Sequence, residues 1–599
     1  MVILPHYKGG QTLSLFDPVS KGTFQTAKDL DVYAEGNVLR PHKLKLQDIT
    51  LPTTSGGSDY VYYHSFKASD GRTYVLAQAT ISSLNNLILY ATSSIEASPT
   101  WVTSFRAVTG TSGQVMDEFK DRLYFGYGTT LKSFGLLAGT KPTFTVTIAS
   151  PGVFTVTGHG LAAGDTVVFT TSGALPTGLS ENTVYYVISA GLTADEFQVS
   201  ATFGGSAINT SGSQSGTHRI SYMSKTISSS LDDAPTFIRA HRGLGKVFIA
   251  HGKKIASYND TTITLAALTV EQSDTIVGIE PLGRFVIVGI KGSGSTRSRF
   301  LIWDGTSTTI DDTIDLGEVG LQGFRIVNGL IEFVCLTYSA TSGVDFIRLM
   351  TVTLGGTPKL VQQRSYSVSA GSGSMNVNAF SNFGDLFFYG FVGSTYDIDL
   401  GIYAHGTGDD RTPRFPSLWR LVSDGTTTGV SIRSIQHNGD NLILMWSTLN
   451  GSGTFHINVL YGSNLTAAAP STGVYQSNAF ALNGGKLGKI KRILILHKPL
   501  AASCGFTVKI KHIGHYPVGG SIASEDSFTA ITTPQGTGSS TGKTQSTNNA
   551  AYTIIENADQ FKEARFAQLQ IDWDEVNSSD SAEILFPIFI ETVDGADNI

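Results

Sequence analysis

The stretch Gly283-Arg284-Phe285-Val286-Ile287-Val288-Gly289, followed by Phe300-Leu301-Ile302-Trp303, contains the pattern that decides the fold. A Gly-containing turn precedes an apolar run of about four residues, and after a break a second apolar run follows. The same pattern recurs at Gly245-Lys246-Val247-Phe248-Ile249-Ala250 with Ile255-Ala256-Ser257-Tyr258. Short apolar runs between turn residues are typical of β-strands joined by hairpins.

The first apolar residues of these repeats form a series of seven markers, at positions 74, 123, 247, 285, 330, 386 and 442. The intervals are 38 to 56 residues, apart from one of 124 that contains the segment 141–222. Such a period, with short strands and Gly-rich turns, is typical of four-stranded propeller blades, which stack because one blade cannot bury both its faces alone. We predict an all-β fold with a β-propeller of about seven blades, six or eight being the alternatives. A series of hairpins from unrelated β-domains is the competing interpretation.

The propeller is predicted over 51–140 and 223–475. Residues 141–222 contain short alternating strands such as Phe144-Thr145-Val146-Thr147-Ile148, which indicate an inserted small β-domain. Residues 476–599 alternate in the same way and indicate a C-terminal β-sandwich of jelly-roll type. The segment 1–50 is predicted to share a platform with the C-terminus, and the Gly/Ser/Thr/Asn-rich segment 534–550 to be a flexible loop or an arm ordered at an interface.

The composition narrows the function classes. Charged residues make up 15% of the 599 residues, below the roughly 25% of ordinary soluble domains. A formal net charge of −6 disfavours an exposed nucleic-acid-binding surface, which would show a basic excess, but suits a channel that DNA passes without binding. No stretch approaches the roughly 18 apolar residues of a membrane helix, and no signal peptide is visible at Met1. We therefore expect no membrane-spanning segment and synthesis in the cytoplasm.

Candidates for chemistry are few. The run 536–544 resembles a phosphate loop but has one residue too many between Gly536 and Gly542 and no strand–loop–helix context. The acidic pairs Asp397/Asp399 and Asp409/Asp410 suggest solvated turns, with an isolated Ca²⁺ site as the alternative. Cys335 and Cys504 are too few for a zinc or disulfide framework, and a buried free thiol is expected for each.

The histidines and lysines show no pattern specific to a metal or catalytic site. The thirteen histidines, His251, His437 and His456 among them, show no metal-ligand spacing and are expected to be ordinary strand or surface residues. A basic stretch near the C-terminus suits either contact with DNA or an acidic neighbouring subunit, or protection of an edge strand, which we prefer. It contains Lys486, Lys489, Lys491, Arg492, Lys498, Lys509 and Lys511. No catalytic, cofactor-binding or metal-binding residue is assigned.

Two parts of the sequence resemble proteins of tailed bacteriophages. Gly158-His159-Gly160-Leu161 with Asn182-Thr183-Val184-Tyr185-Tyr186-Val187, in a match of about 70 residues, resembles a small module common in phage tail-associated proteins. Phe24-Gln25-Thr26-Ala27-Lys28-Asp29-Leu30-Asp31-Val32 with Leu39-Arg40-Pro41 resembles the start of virion proteins that carry a tail propeller. In plan the chain is similar to the tail nozzle (tail tubular) proteins of short-tailed phages, which combine a propeller, inserted domains and a platform built from the chain ends.

This resemblance implies a non-enzymatic virion structural protein, made in the host cytoplasm and built into the phage tail. Copies would form a nozzle-like or hub-like ring, sixfold by analogy with that family, that forms or gates the DNA ejection channel. Its partners would be adaptor or fibre proteins and DNA in transit. One alternative is a receptor-binding tail fibre or baseplate protein that uses residues 141–222. A second is a propeller enzyme that degrades polysaccharide, since propellers host many functions.

Overall fold

A computed structural model describes the strands and many of their connections. The described residues are 1–4, 10–11, 23–28, 30–31, 38–41, 58–67, 73–81, 84–91, 101–106, 115–135, 141–292, 297–318, 320–338, 345–366, 375–376, 378–391, 401–407, 413–420, 430–438, 441–448, 455–461, 473–498, 504–514, 528–530, 552–555, 561–575 and 583–594. Within them the chain is all-β, apart from a short 3₁₀ turn at Asn483–Gly485. It divides into two compact units, one of residues 49–360 and the other of residues 1–48 with 361–599.

The strands before residue 235 comprise a terminal group, two blades and an inserted domain. The terminal strands are β1 Val2–Leu4, β2 Gly10–Gln11, β3 Thr23–Lys28, β4 Leu30–Asp31 and β5 Val38–Pro41. Blade one has β6 Ser58–Lys67, β7 Thr73–Ile81, β8 Leu84–Ala91 and β9 Trp101–Arg106. Blade two begins with β10 Met116–Phe119, β11 Arg122–Tyr127 and β12 Thr130–Phe134. The inserted strands are β13 Thr143–Val146, β14 Phe154–Thr155, β15 Thr166–Thr171, β16 Val184–Ile188 and β17 Glu196–Ser200, followed by the shared strand β18 His218–Ser228.

Five further blades follow along the chain. Blade three has β19 Pro235–His241, β20 Lys246–His251, β21 Lys254–Tyr258 and β22 Ile263–Thr269. Blade four has β23 Thr275–Leu282, β24 Phe285–Lys291, β25 Arg299–Trp303 and β26 Asp312–Asp315. Blade five has β27 Leu321–Val327, β28 Leu330–Tyr338, β29 Asp345–Val352 and β30 Lys359–Tyr366. Blade six has β31 Phe380–Phe383, β32 Leu386–Phe391, β33 Gly401–Thr407 and β34 Pro413–Arg420, and blade seven has β35 Val430–Asn438, β36 Asn441–Thr448 and β37 Phe455–Tyr461.

The described part of the chain thus contains seven successive antiparallel meanders. Each of the seven sequence markers lies on the second strand of its meander. In the unit 49–360 the first strands β6, β10, β19, β23 and β27 each contact the next, as in stacked blades, and in the other unit β31 contacts β35. The predicted fold class, an all-β chain built on a β-propeller, is confirmed.

Turn chemistry explains why the second strand is the most regular feature of each repeat. Asn328-Gly329 joins β27 to β28 as a two-residue hairpin loop in which both residues have positive φ, 51° and 78°. This conformation matches the twist of the flanking strands and favours Asn-Gly. The corresponding loop between β23 and β24 also has two residues, and its first residue, Gly283, has a φ of 61°. The apolar run that follows each turn is then fixed in register.

The inserted domain and blade two share one continuous strand. Residues 218–224 of β18 pair with β13 and β15 of the insert, and 224–228 pair with β12 of the blade. The insert has its own aromatic core, in which Phe154 stacks on Phe169 and Phe197 at centroid distances of 4.8 and 5.2 Å. Because β18 runs through both sheets, the insert is held to the blade by strand pairing as well as by a linker.

The chain ends meet in a two-sheet sandwich. Its later strands are β38 Val474–Ser477, β39 Phe480–Ala481, β40 Gly488–His497, β41 Cys504–Ile513, β42 Thr529–Ala530, β43 Tyr552–Ile555, β44 Phe566–Glu575 and β45 Ile584–Asp594. One sheet has the order β4-β5-β45-β40-β43 with β1 also on β45, and the other runs β3-β38-β44-β41-β42. Leu4 and Leu30 are buried in the same core as Ile590 and Trp573. The second sheet continues through β34 into blade six.

Candidate functional site

Several of the candidate phosphate-binding and Ca²⁺-binding residues lie outside the described residues. These are the run 536–544, Asp397, Asp399, Asp409 and Asp410. Within the described ranges no group of three or more His, Cys, Asp or Glu side chains is close enough to hold a metal ion. Cys335 is a buried free thiol in blade five, and burial raises its pKa, whereas the side chain of Cys504 is not described.

Of the three histidines singled out in the sequence, His251 lies on blade three and His437 and His456 lie on blade seven. His251 is fully buried in blade three, where its Nδ1 accepts a hydrogen bond from the Asp232 amide at 3.1 Å and its Nε2 lies 2.9 Å from the Leu265 carbonyl oxygen. Burial lowers the pKa of His251, against a smaller opposing effect of the Leu265 carbonyl. His437 on β35 is exposed and lies beside Phe383, and the side chain of His456 is not described.

Four residues of the basic stretch near the C-terminus form ion pairs with acidic residues of neighbouring segments. Strand β40 pairs with β45 on one side and, over Ile493–Leu496 alone, with β43 on the other, and β41 pairs with β44 and, at Lys509 and Ile510 alone, with β42. Lys491 and Arg492 lie 3.1 and 2.5 Å from Glu591 on the neighbouring β45. Lys498 pairs with Glu583 and Lys509 with Asp572. The pKa of Glu591 is lowered, first by the hydrogen bond from Lys491.

A row of alternating charges joins four consecutive blades of the unit 49–360. We call it the charge row, and it consists of Asp117, Arg239, Glu280 and Arg325. Each of these residues lies two positions before the end of the first strand of its blade. The sequence pattern did not predict the charge row. The signal that could have found it is the shared position of the four residues relative to the hairpin turn, which requires the strand ends to be known.

Short contacts link neighbouring members of the charge row. Arg239 Nε lies 2.8 Å and Arg325 Nη1 3.1 Å from the same Glu280 Oε1, and Asp117 Oδ2 accepts a hydrogen bond from the Ala240 amide at 2.8 Å. Glu280 and Arg325 are buried. Burial raises the pKa of Asp117, and the nearby Arg239 opposes this. Charge-assisted bonds of this kind, shielded from water, hold adjacent blades in one register.

A second buried ion pair fixes the inserted domain to blade two. Lys132 Nζ of the blade lies 3.2 Å from Asp165 Oδ1 of the insert, and their side chains are 2% and 0% exposed. Asp165 also accepts hydrogen bonds from the amides of Ala162 and Thr226 at 2.8 and 3.0 Å and from the Thr226 hydroxyl at 2.8 Å. The carboxylate is thus satisfied on several sides, as a buried charge requires.

An apolar stripe crosses the outer face of the sandwich sheet formed by β1, β45, β40 and β43. Ile3, Phe589, Leu494 and Ile554 are direct cross-strand partners in succession, so their side chains share that face. Ile3 and Ile554 are exposed. Lys489, Lys491, Arg492 and Glu591 lie alongside on β40 and β45. This surface, which we call the outer face, is apolar with a net positive rim.

Comparisons with known proteins give no family for this chain and only distant similarity to solved structures. No protein-family model and no curated protein matches the chain. Among solved structures, the Dos1 propeller is similar at 9% identity and a TM-score of 0.33, over 69% of this chain and 94% of that one. An exo-β-1,3-galactanase from Phanerochaete chrysosporium gives 9% identity and 0.23, over 75% and 100%. A quinonprotein alcohol dehydrogenase-like protein from Bacteroides thetaiotaomicron gives 11% and 0.25, over 68% and 89%. TM-scores this low do not bear on function.

Within the described ranges, no helix has the length and apolar character that crossing a bilayer demands.

Proposed function

We propose that this chain is a non-enzymatic structural protein of a bacteriophage tail, of the nozzle type, several copies of which surround the DNA ejection channel. The observation that carries the proposal is the joint sandwich of the chain ends. β1 and β5 pair with β45, and β3 pairs with β38. A platform built from both chain ends beside a propeller is the plan that the resemblance to tail nozzle proteins implies.

The propeller blades would serve as rigid walls. In the unit 49–360, the charge row links blades two to five through contacts of 2.8 to 3.1 Å. The carboxylate of Glu280 is engaged by two arginines from the two adjacent blades. A rigid wall is what a channel under mechanical load needs. The small net charge of −6 suits passage of DNA without sequence-specific binding.

The outer face would form the contact between neighbouring copies. Three cations and one carboxylate flank its apolar stripe, whereas the whole chain is acidic. A positive apolar face therefore complements the acidic remainder of a second copy. Contact between two different surfaces is heterologous, and repeated heterologous contacts close into a ring when the rotation allows it. Six copies follow from the resemblance alone, as do adaptor or fibre partners and a place in the virion.

The test is the mass of the purified protein by light scattering, together with negative-stain imaging. We expect a ring with a central hole. Ile554→Asp should shift the ring to monomers, because it places a charge in the outer face without disturbing a core residue. Ile148→Asp on the inserted domain is the matched control, since the two isoleucines are 44% and 46% exposed, and it should leave the ring intact.

Other outcomes would overturn the proposal. A trimer or monomer that binds host glycans through residues 141–222 would indicate a receptor-binding protein. Release of reducing sugar from host polysaccharide would indicate an enzyme. A ring that persists unchanged in Ile554→Asp would reject the outer face as the contact while leaving the ring itself in place.

A further inference from the structure

Two cations at the junction of blade two, the inserted domain and blade three have no carboxylate partner. Arg122 on β11 is 7% exposed, and Lys225 on β18 is half-buried. Among the described residues neither forms an ion pair within 4.0 Å, although most other buried cations of this unit do. A buried charge without a counter-charge is strongly unfavourable unless a ligand supplies one.

Strand register places the two cations side by side. Tyr124, Ser133 and Lys225 are direct cross-strand partners on β11, β12 and β18, so their side chains share one face of the blade. Arg122 precedes Tyr124 by two residues and lies on the same face. The Ser133 hydroxyl oxygen accepts hydrogen bonds from Arg122 Nε at 3.2 Å and from Nη2 at 2.8 Å. Ser133 thus lies between the guanidinium and the ammonium.

The acids nearest to this face are already engaged. Asp165 pairs with Lys132, and Asp260 lies 3.7 Å from Lys120 and accepts a 3.4 Å hydrogen bond from the Tyr124 hydroxyl. Burial lowers the pKa of Arg122 and of Lys225, and for Lys225 the nearby Arg122 adds to the effect, whereas Asp165 and Asp260 oppose it at both groups without forming an ion pair with either. Lys132 and Asp165 neutralise each other on the opposite face of β12, which leaves Lys120, Arg122 and Lys225 with Asp260 and therefore a surplus of positive charge.

The site also has an approach from solvent. The side chains of Lys120 and Asp260 at its margin are 53% and 43% exposed. On the insert side, Gly160 packs closely against the ammonium, since a Cβ at that position would lie 3.2 Å from Lys225 Nζ.

We propose that Arg122 and Lys225, with the Ser133 hydroxyl between them, form a binding site for a small oxyanion. The ligand would be inorganic phosphate or sulfate, or the carboxylate of an acidic sugar, because these share the oxygen acceptors that a guanidinium fork and an ammonium recognise. Since the site joins three structural parts, bound anion would lock the inserted domain against blades two and three. The site is independent of the proposed tail function.

The experiment measures thermal unfolding of the full chain in sodium sulfate, sodium phosphate or sodium glucuronate against sodium chloride of equal ionic strength. Ligand that binds the native state alone raises the midpoint in a saturable manner. We expect such a rise in the wild type, and an apparent affinity at least about tenfold weaker in Lys225→Met, as loss of one charge-assisted contact predicts. The exposed Lys359→Met on blade five is the matched control and should behave as wild type.

The outcomes separate the ligand sources. Tighter binding of glucuronate than of phosphate would assign an acidic sugar, and the reverse order would assign inorganic anion. An equal, saturable rise in Lys225→Met, or no difference between the oxyanions and chloride in the wild type, would overturn the proposal. Lys225→Met should keep the ring mass of the wild type, so a failure here is distinguishable from a failure of the proposed function.

Discussion

At the residue scale, the charge row shows how single side chains couple blades that the chain builds separately. Glu280 receives one arginine from blade three and one from blade five, through a single carboxylate oxygen. A hydrophobic pattern does not single out such a residue, because charged residues near hairpin turns are common. What distinguishes it is that its neighbours along the row come from other blades.

Glu280→Gln should destabilise blades three to five by about 3 kcal/mol, because removing one partner of a buried ion pair leaves the others uncompensated. Native-state hydrogen exchange of peptides from β19, β23 and β27 would measure this locally. Glu271→Gln is the matched control. Glu271 also lies near an arginine, at 3.5 Å from Arg299, but its side chain is 75% exposed. A loss below about 1 kcal/mol is expected there, and equal losses in both variants would contradict the account.

His251 makes stability depend on pH. Its lowered pKa means that the unfolded chain takes up a proton at a pH where the folded chain does not. The stabilising contribution is therefore complete above the unfolded pKa of about 6.5 and is lost as the pH falls through the lower folded value. Asp232, Asp233 and Lys254 are the charged groups that face the ring.

We expect the midpoint of thermal unfolding to fall between pH 7 and pH 5, and to fall less steeply in His251→Gln. His437→Gln, at an exposed position on blade seven, is the control and should keep the wild-type slope. An identical slope in wild type and His251→Gln would show that other groups carry the pH dependence.

At the element scale, glycines decide how closely two blades approach. Gly278 on β23 and Gly289 on β24 are direct partners in blade four, and the Phe324 ring of blade five lies over both. A Cβ on Gly289 would lie 2.5 Å from Phe324 Cε1, and one on Gly278 would lie 2.6 Å from the same atom. The apolar run in β24 therefore contains a glycine for steric reasons, which the sequence pattern alone does not reveal.

Gly289→Ala should destabilise the packing of blades four and five by about 1–3 kcal/mol through overpacking. Phe324→Leu alone should also destabilise, because it removes ring contacts that the core uses. In the double variant the smaller side chain makes room for the new methyl group, so the loss should be less than the sum of the two. A double-mutant cycle of unfolding free energies measures this coupling. Strict additivity would argue against the steric explanation.

At the scale of the whole molecule, the sandwich depends on strands at opposite ends of the chain. Leu30 on β4 is fully buried among residues of β40, β44 and β45. Its contacts span hundreds of positions in the sequence, and closing so long a loop is unfavourable until the core forms. The terminal strands are therefore expected to fold together with the C-terminal ones.

Leu30→Ala should cost about 2–5 kcal/mol, the usual range for a buried leucine, and lower the unfolding temperature of the sandwich. Scanning calorimetry with hydrogen exchange of β40 and β45 peptides would check it. Leu360→Ala is the control, because that leucine is exposed, and it should change stability by less than about 0.5 kcal/mol. A sandwich that keeps its stability in Leu30→Ala would show that the N-terminal strands are dispensable.

The sequence by itself indicated an all-β chain of strand repeats, about seven in number with six or eight as alternatives. Hydrophobic alternation and turn residues such as Asn328-Gly329 act locally, so they can be read along the chain. The position of the insert could be read for the same reason, as an interruption of a regular interval. Sequence also indicated a phage-type resemblance, which remains the basis of a proposal.

Only the tertiary structure decided which charges meet. The charge row, the Lys132–Asp165 pair and the unpaired Arg122 and Lys225 depend on distances between residues from different blades or from the insert. It also decided that the basic residues of β40 and β41 pair with acids of β45 and β44. Electrostatic partners are set by proximity in space and by burial, and neither quantity is encoded in the spacing of residues along one strand.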